Sequence, residues 1–449
     1  MKKLFFAALA VVLFAGTASA AVQNVKVSGS VDSTYIDRKS FDLGGDVGEQ
    51  KQGVFITQTT LRVDADLTDN VSATVRLLNE RAWEDGPDAN AAQIDINLAF
   101  VTLREFLYSP LTLTVGRQEF LFGNGFIFDS AAAGGRSDIS GIASDLSKRF
   151  AVDAIRATLD YNPLTLDLVY LRRTQEAGGA FRTGGDKNAE NTDVYGINAN
   201  YALGDDMGSV LETYYWKRWN RADSNTGSDQ EDKLHIYGVR ASTNPLEGVS
   251  TSIEYAHQSG ESDNGSQRNK NANAVQFVTS YQVPVLEEYN PILTYSFTKY
   301  SGDVSQGSPD NRDSGWDSFY NDQLEGIVYN LFSKTNLVVH DLYLETTPLE
   351  DVTAGVRWQG LWLDKAYEDG TDPTYTLNDS VGGTASFNQD ETDEDESYLG
   401  SEFDFNLTYD YTEDVQIGTT LGYFFPGDFF TDQADAVAKQ WLVNLNVAF

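Results

Sequence analysis

The sequence predicts an all-β protein, a single transmembrane antiparallel up-and-down β-barrel of about eighteen strands with long extracellular loops. Three observations point there. Apolar and polar residues alternate in segments of roughly ten residues bounded by turn formers. The links between segments are short and long in turn. The chain closes on a strand in which Trp441, Val443, Leu445 and Val447 alternate with Gln440, Asn444 and Asn446 before a terminal Phe449.

At the N-terminus, Lys2 and Lys3 precede an apolar run from Leu4 to Phe14 and a small-residue site, Ala18-Ser19-Ala20. This pattern predicts a cleavable secretory signal over residues 1–20 and one barrel domain over 21–449. No later segment reaches the roughly 20 apolar residues of a spanning helix, so only a closed barrel could cross a bilayer.

Bulk composition fits a barrel better than first sight suggests. Hydrophobic residues make up 41% of 449 and mean hydropathy is −0.36, values that look soluble. In a barrel every second strand residue faces water, which lowers both. Aromatics reach 12%, with 23 Tyr and 25 Phe, as interfacial girdles require. No cysteine is present, so disulfides and thiolate metal sites are excluded. A formal charge of −35 excludes nucleic-acid binding through a general basic field.

Period-2 alternation places strands near 24–36, 54–67, 71–81, 93–104, 110–118, 151–161, 164–173, 191–203 and 208–219. It continues near 232–243, 248–259, 271–283, 291–300, 335–347, 351–364, 396–411, 414–425 and 438–449. Short links such as Thr68-Asp69-Asn70, Asn162-Pro163 and Thr412-Glu413-Asp414 alternate with long Gly/Asp/Ser/Asn-rich stretches at 37–53, 119–150, 174–190, 301–334 and 365–395. An even strand count places both mature termini on the periplasmic side. A secreted glycan-binding β-sandwich also alternates polar and apolar residues, but it does not alternate loop length.

Strand parity assigns faces. Phe55, Leu61, Val63 and Leu67 share one side, and Gln58, Thr60, Arg62, Asp64 and Asp66 the other, which must be the wet lumen. The same rule turns Arg76, Glu80, Asp95, Asn97, Arg156, Glu212, Arg218, Arg240, Glu254, Asp341, Arg357, Glu402 and Asp404 inward. Arginine's planar fork suits carboxylates, so Arg62, Arg76, Arg156, Arg240 and Arg357, with Asp64 and Glu402 among them, are candidate pore-lining residues. The alternative is that arginines and acids pair across strands and brace the wall. Arg117 joins the pore-lining set although parity groups it with Leu111, Leu113 and Val115; a bulge at Gly116 or a place at the membrane rim would accommodate it.

The stretch 119–150 is the candidate constriction loop, with flexible Gly123 and Gly125, apolar Phe126 and a cationic Arg136. Its beginning also carries a resemblance. Residues 111–130, LTLTVGRQEFLFGNGFIFDS, with their Gly116-Arg117-Gln118 turn, resemble the alginate-export family of outer-membrane barrel porins, and Trp316-Asp317-Ser318-Phe319-Tyr320 is a weaker second match. The resemblance implies an eighteen-strand barrel passing an anionic polysaccharide or smaller anion through an arginine-lined, loop-gated pore. The carboxylates on the inner wall depart from a strongly electropositive conduit.

The densest acidic run, Asp390 to Glu396, offers Asp390, Asp393 and Asp395 as weak metal candidates, able to hold structural Ca²⁺ or to bridge to lipopolysaccharide through divalent ions. A solvated external face is the better explanation of the run, since its spacing lacks an EF-hand pattern. No other cofactor is expected. His235, His257 and His340 are the only histidines and show no catalytic spacing, so no enzymatic activity is expected. The expected partners are outer-membrane lipid and lipopolysaccharide, the barrel assembly machinery acting on the Phe449 strand, and a hydrophilic or anionic solute. The expected function is passive diffusion or export through the outer membrane, the alternative being a plugged surface barrel or adhesin that binds through its acidic loops.

Overall fold

A computed structural model describes residues 24–44, 51–83, 94–129, 143–149, 151–174, 191–220, 232–262, 268–303, 312–320, 326, 328, 331–367, 375–377, 386–387, 392–393, 396–431 and 434–449. The expected signal segment at 1–20 lies outside them.

Eighteen antiparallel strands close into one barrel. They are β1 (Asn24–Lys39), β2 (Lys51–Thr68), β3 (Val71–Ala82), β4 (Asp95–Leu103), β5 (Leu111–Gln118), β6 (Val152–Asp160), β7 (Leu164–Thr174), β8 (Asn191–Ala202) and β9 (Val210–Asn220). The second half comprises β10 (Asp232–Leu246), β11 (Val249–Ser262), β12 (Arg268–Gln282), β13 (Ile292–Tyr300), β14 (Leu337–Leu349), β15 (Val352–Trp362), β16 (Tyr398–Thr412), β17 (Val415–Pro426) and β18 (Ala438–Ala448). Each pairs with its sequence neighbour, and β18 returns to β1 from Ser30↔Ala448 to Lys39↔Lys439. Phe449 extends the seam, its N–H donating to the Gly29 carbonyl at 3.0 Å and its carbonyl accepting from Gly29 at 2.8 Å. With the ring closed, none of these eighteen strands is an edge strand.

The outer face reads as the parity rule requires. Leu61, Val75, Val101, Ile155, Leu168, Leu211, Ile253, Leu344, Phe405 and Leu445 are exposed on it. Exposed aromatics flank this band at both ends: Tyr108, Tyr161, Tyr201, Tyr281, Tyr409 and Phe449 by the short turns, and Phe55, Tyr195, Tyr237, Tyr255, Phe425 and Trp441 toward the long connections. Such a band between two girdles suits a bilayer. Besides the register shifts beside the short turns, two irregularities interrupt alternation within the described strands, one where Arg76 opposes Leu98 but Leu77 opposes Ile96, the other between Leu361 and Trp362. The first is a bulge in β4, so Asn97 and then Leu98 are both buried inward while Ile96 and Val101 stay outside.

The tightest packing lies inside the barrel, where connections fold inward. Phe122 and Phe128 pack on Trp216, which points inward from β9 and is 0% exposed, and Phe319 packs on Phe128 in turn.

Candidate functional site: the lumen and the connections folded into it

After β5, residues 119–129 turn into the lumen and lie on the inner wall of β6 and β9–β13. Phe122 and Phe128 sit 5.0 and 4.6 Å from the Trp216 ring, and Phe126 sits 5.6 Å from Tyr300. Asn124 Nδ2 donates to Gln276 Oε1 at 2.5 Å. The turn closes through the Gly125 N–H on the Phe122 carbonyl at 3.0 Å. Gly123 adopts φ +59°, and a Cβ there would stand 3.1 Å from Arg240 Cδ and 3.4 Å from carboxylate oxygens of Glu212 and Glu254. Glycine thus lets the backbone sit directly on a charged part of the wall. Phe120 and Phe122 face that wall, whereas Glu119, Leu121 and Gly123 remain exposed.

The same connection returns on the opposite side. Glu80 accepts from the Lys148 N–H at 2.7 Å and from Ser147 Oγ at 2.9 Å. Gln58 Nε2 donates to the Leu146 carbonyl at 2.8 Å, Asn97 Nδ2 to the Lys148 carbonyl at 2.9 Å, and Arg38 to Asp145 at 2.7 Å. Lys148 Nζ meets Asp32 at 3.2 Å, and Arg149 pairs with Asp95. In a ring of eighteen, β10 lies across from β1, so one connection touches two facing walls.

The connection between β13 and β14 also turns inward and clasps the first. Arg218 on β9 donates through two nitrogens to Asp317, at 2.5 and 2.8 Å. Gln258 donates through Nε2 to the Asp317 carbonyl at 2.6 Å and accepts through Oε1 from its N–H at 2.9 Å. Burial by itself would raise the Asp317 pKa; the Arg218 guanidinium outweighs it and holds the carboxyl below the ordinary aspartate range. The Asp129 N–H donates to the Tyr320 carbonyl at 2.9 Å, and Phe319 and Tyr320 each lie 5.6 Å from Phe128. Farther along, Glu402 accepts from the Val328 N–H at 2.7 Å and Phe332 packs 4.9 Å from Phe424.

The wall arginines face inward, and each has an acidic neighbour. Arg62 forks onto Asp64 at 2.7 and 3.0 Å, and Thr74 also donates to Asp64, at 2.6 Å. Arg76 lies opposite Arg62 in register and pairs with Glu119. Arg156 donates to Asp167 at 2.7 Å with its guanidinium 5.4 Å from the Phe122 ring. Arg240 lies 3.6 Å from Glu212 and 3.8 Å from Glu254. Arg357 meets Asp341 at 3.2 Å and covers Tyr343. Glu402 is fully buried, with Gly326 and Val328 against it. Each of these arginines is braced by a wall or loop carboxylate, Arg62 being the most exposed of them at 40%.

Arg117 is a correction. It opposes Asp153 and Ala99 in register, donates to Asp153 at 3.1 and 3.2 Å, and lies on the outer face near the long-loop end. Gly116 takes φ +125° without a register shift, a Cβ there would stand 2.2 Å from the Ala99 carbonyl oxygen, and parity is preserved. Gln118, not Arg117, points inward, its Nε2 donating to the carbonyls of Gly116 and Ala154 at 3.2 and 3.1 Å.

Among the remaining expected site residues, Gly125 and Phe126 are buried in the folded-in turn, while Arg136, Asp390 and Asp395 lie outside the described residues. Asp393 is exposed, and its N–H donates to the Phe429 carbonyl at 2.8 Å. Among the described residues no group of three His, Cys, Asp or Glu is arranged to hold a metal. The histidines sit on the outer face, where His235, His257 and His340 share hydrogen bonds with Tyr215, Asn273 and Tyr295 at 2.8, 2.9 and 2.9 Å. Parity found Glu80 and Arg218 on the lumen side, but it could not reveal that their partners are loop groups distant in sequence.

A closed eighteen-strand barrel with an apolar exterior, paired girdles and a charged interior defines an outer-membrane channel of the porin class. The chain belongs to the alginate-export family, whose model, described as Alginate export, matches residues 25–444. The family and fold are those of Gram-negative outer-membrane channels. Among solved structures, OccAB1 of Acinetobacter baumannii is 12% identical with a TM-score of 0.56, covering 96% of this chain and 98% of that one. OccK2 (OpdF) of Pseudomonas aeruginosa is 13% identical with a TM-score of 0.57, over 95% and 98% of the chains. OpdK of Pseudomonas aeruginosa with vanillate is 10% identical with a TM-score of 0.55, over 95% and 100%. At such identities the likeness shows the fold alone. No curated protein matches the sequence.

Proposed function

We propose that this protein is a passive channel for small hydrophilic anions, carboxylates foremost, whose bore is set by the two connections folded into the lumen. The observation that carries the reading is Arg62 directly opposite Arg76 on neighbouring strands of the inner wall. Their acidic neighbours, Asp64 and Glu119, are themselves partly exposed. A solute carboxylate that exchanges with either acid gains a charge-assisted, forked contact. Because each arginine keeps a wall carboxylate, capture stays weak enough for release, as conduction requires. Vanillate, present with OpdK, is a solute of this chemistry. With both connections pinned, the bore favours a single sugar acid over a polymer such as alginate.

Liposome uptake tests the reading. The expected result is entry of both a neutral sugar and its uronic acid, the acid faster, with the preference lost in Arg62→Ala and Arg76→Ala. No uptake of either would favour a plugged surface barrel, and preference for a cationic sugar would reject the anion assignment.

A further inference from the structure

We infer that a groove on the outer face of β9–β12, at the short-turn end, binds one amine-headed glycerophospholipid, with an acyl chain in the groove and the ammonium group at the turn carboxylates. The groove has a volume of about 420 Å³ and runs between Leu203 and Leu211 on one side and Ile253 and Phe277 on the other, with Ala241, Thr243 and Thr251 as its floor. Register places these side chains in two rows. Leu211, Ala241, Ile253 and Phe277 stand opposite one another across four strands. Two residues nearer the turns, Thr243, Thr251 and Thr279 form the second row, with Ser209 beside Thr243. Ala241 is the small member of the first row, and its short side chain opens the groove between Leu211 and Ile253.

The order of chemistry along the groove is that of a phospholipid. Apolar side chains meet the tail, and one step of two residues, about 6.6 Å, brings hydroxyls to the level of the glycerol esters. Ser209 Oγ and Thr243 Oγ1 lie 2.8 Å apart, so one donates to the other and one O–H is left for an ester or phosphate oxygen. Thr251 and Thr279 donate instead to the Val278 and Ser250 carbonyls, both at 3.3 Å. The hydroxyl row is local: on β4–β7 the outward positions beside the turns are Leu103, Leu111, Leu159 and Leu166. Beyond the hydroxyls, the turns at 203–209 and 244–248 carry Asp205, Asp206 and Glu247 and no Lys or Arg. The two turns touch, the Asn244 N–H donating to the Met207 carbonyl at 3.0 Å. Asp205 accepts from the Ser209 N–H at 2.8 Å, a bond that holds its carboxyl below the ordinary aspartate range. Acids stand on the other short turns as well, so charge alone fixes no position; the groove does. Carboxylates on turns that lack a cation complement an ammonium head and repel a purely anionic one.

Native mass spectrometry of the full chain in detergent, titrated with phosphatidylethanolamine, phosphatidylglycerol of the same chains and the chain-free head glycerophosphoethanolamine, tests the site. The expected result is retention of a single phosphatidylethanolamine in preference to phosphatidylglycerol. Ala241→Phe, which fills the groove, should abolish that retention, whereas Ala157→Phe, on the outer face of β6 opposite Leu113, should leave it intact. In Asp206→Asn/Glu247→Gln the preference should fall about fivefold. A normal heat-dependent gel shift verifies that each variant is folded. Equal retention of the two lipids, unchanged binding in Ala241→Phe, or an equal loss in Ala157→Phe overturns the proposal. Displacement of the lipid by the chain-free head at equal concentration would show that the groove holds no chain and would also overturn it.

Discussion

Asp317 and Arg218 form a two-pronged ion pair inside the barrel, at 2.5 and 2.8 Å, that ties the connection after β13 to the wall strand β9. The pair is local in space and 99 residues apart in sequence. It decides where that connection lies, because the Asp317 backbone is also taken up, on both its N–H and its carbonyl, by Gln258.

Breaking this pair should widen the channel. Arg218→Ala removes the fork that holds the Asp317 carboxylate, which is 31% exposed, a loss of charge-assisted hydrogen bonds that costs roughly 1.5–3 kcal/mol. The expected result in planar bilayers is larger or frequently switching conductance steps; steps identical to the parent would show that the connection does not set the bore.

Acid should have the same effect, and only strong acid. Arg218 depresses the folded-state pKa of Asp317, so the pair contributes fully above the ordinary aspartate value of 3.8 and loses its contribution as pH falls from there through the depressed value. Conductance is therefore expected to hold steady from neutrality to about pH 4 and to rise below it. In Asp317→Asn the acid-induced rise should vanish.

Glu80 anchors the other arm of the first connection. In Glu80→Ala, the Lys148 N–H and Ser147 lose their acceptor and Arg149 loses a neighbouring charge. Accelerated proteolysis within 143–149 is expected with the barrel's heat-dependent gel shift intact. Protection equal to the parent would show that the other wall contacts suffice.

Trp216 supports the first connection through Phe122 and Phe128, and Phe319 and Tyr320 of the second rest on Phe128. Trp216→Ala removes that support and should destabilise the protein by about 3–5 kcal/mol. A lower midpoint in urea-driven unfolding from micelles checks this, and Thr213→Ala, on the outer face, should change it by less than about 1 kcal/mol.

Much of the molecule was legible before any coordinates. Eighteen strands follow from alternation because burial against lipid on one face and water on the other writes period two into each of them. The inward placement of Arg62, Arg76, Arg156, Arg240 and Arg357 follows from the same rule. Arg117 shows where a family-like motif misleads: Gly116 distorts the backbone without inserting a residue, so parity was the better guide and the rim the correct place for the arginine. The β4 bulge was invisible, since an extra residue in one strand is defined only by its neighbour's register.

The lumen's contents divide in the same way. Glycines and phenylalanines in 119–150 indicate a connection able to fold inward, but nothing in 301–334 besides its aromatic-acidic stretch indicates that it would clasp the first.

The sequence by itself determined the closed barrel, its two faces and the lumenal arginines, because strand periodicity is local and each strand carries its own pattern. Only the tertiary structure decided which carboxylate each arginine meets and how the two connections cross the lumen. Those outcomes depend on register and ring closure, which bring Arg218 to Asp317 and Lys39 to Lys439 from positions that no local pattern relates.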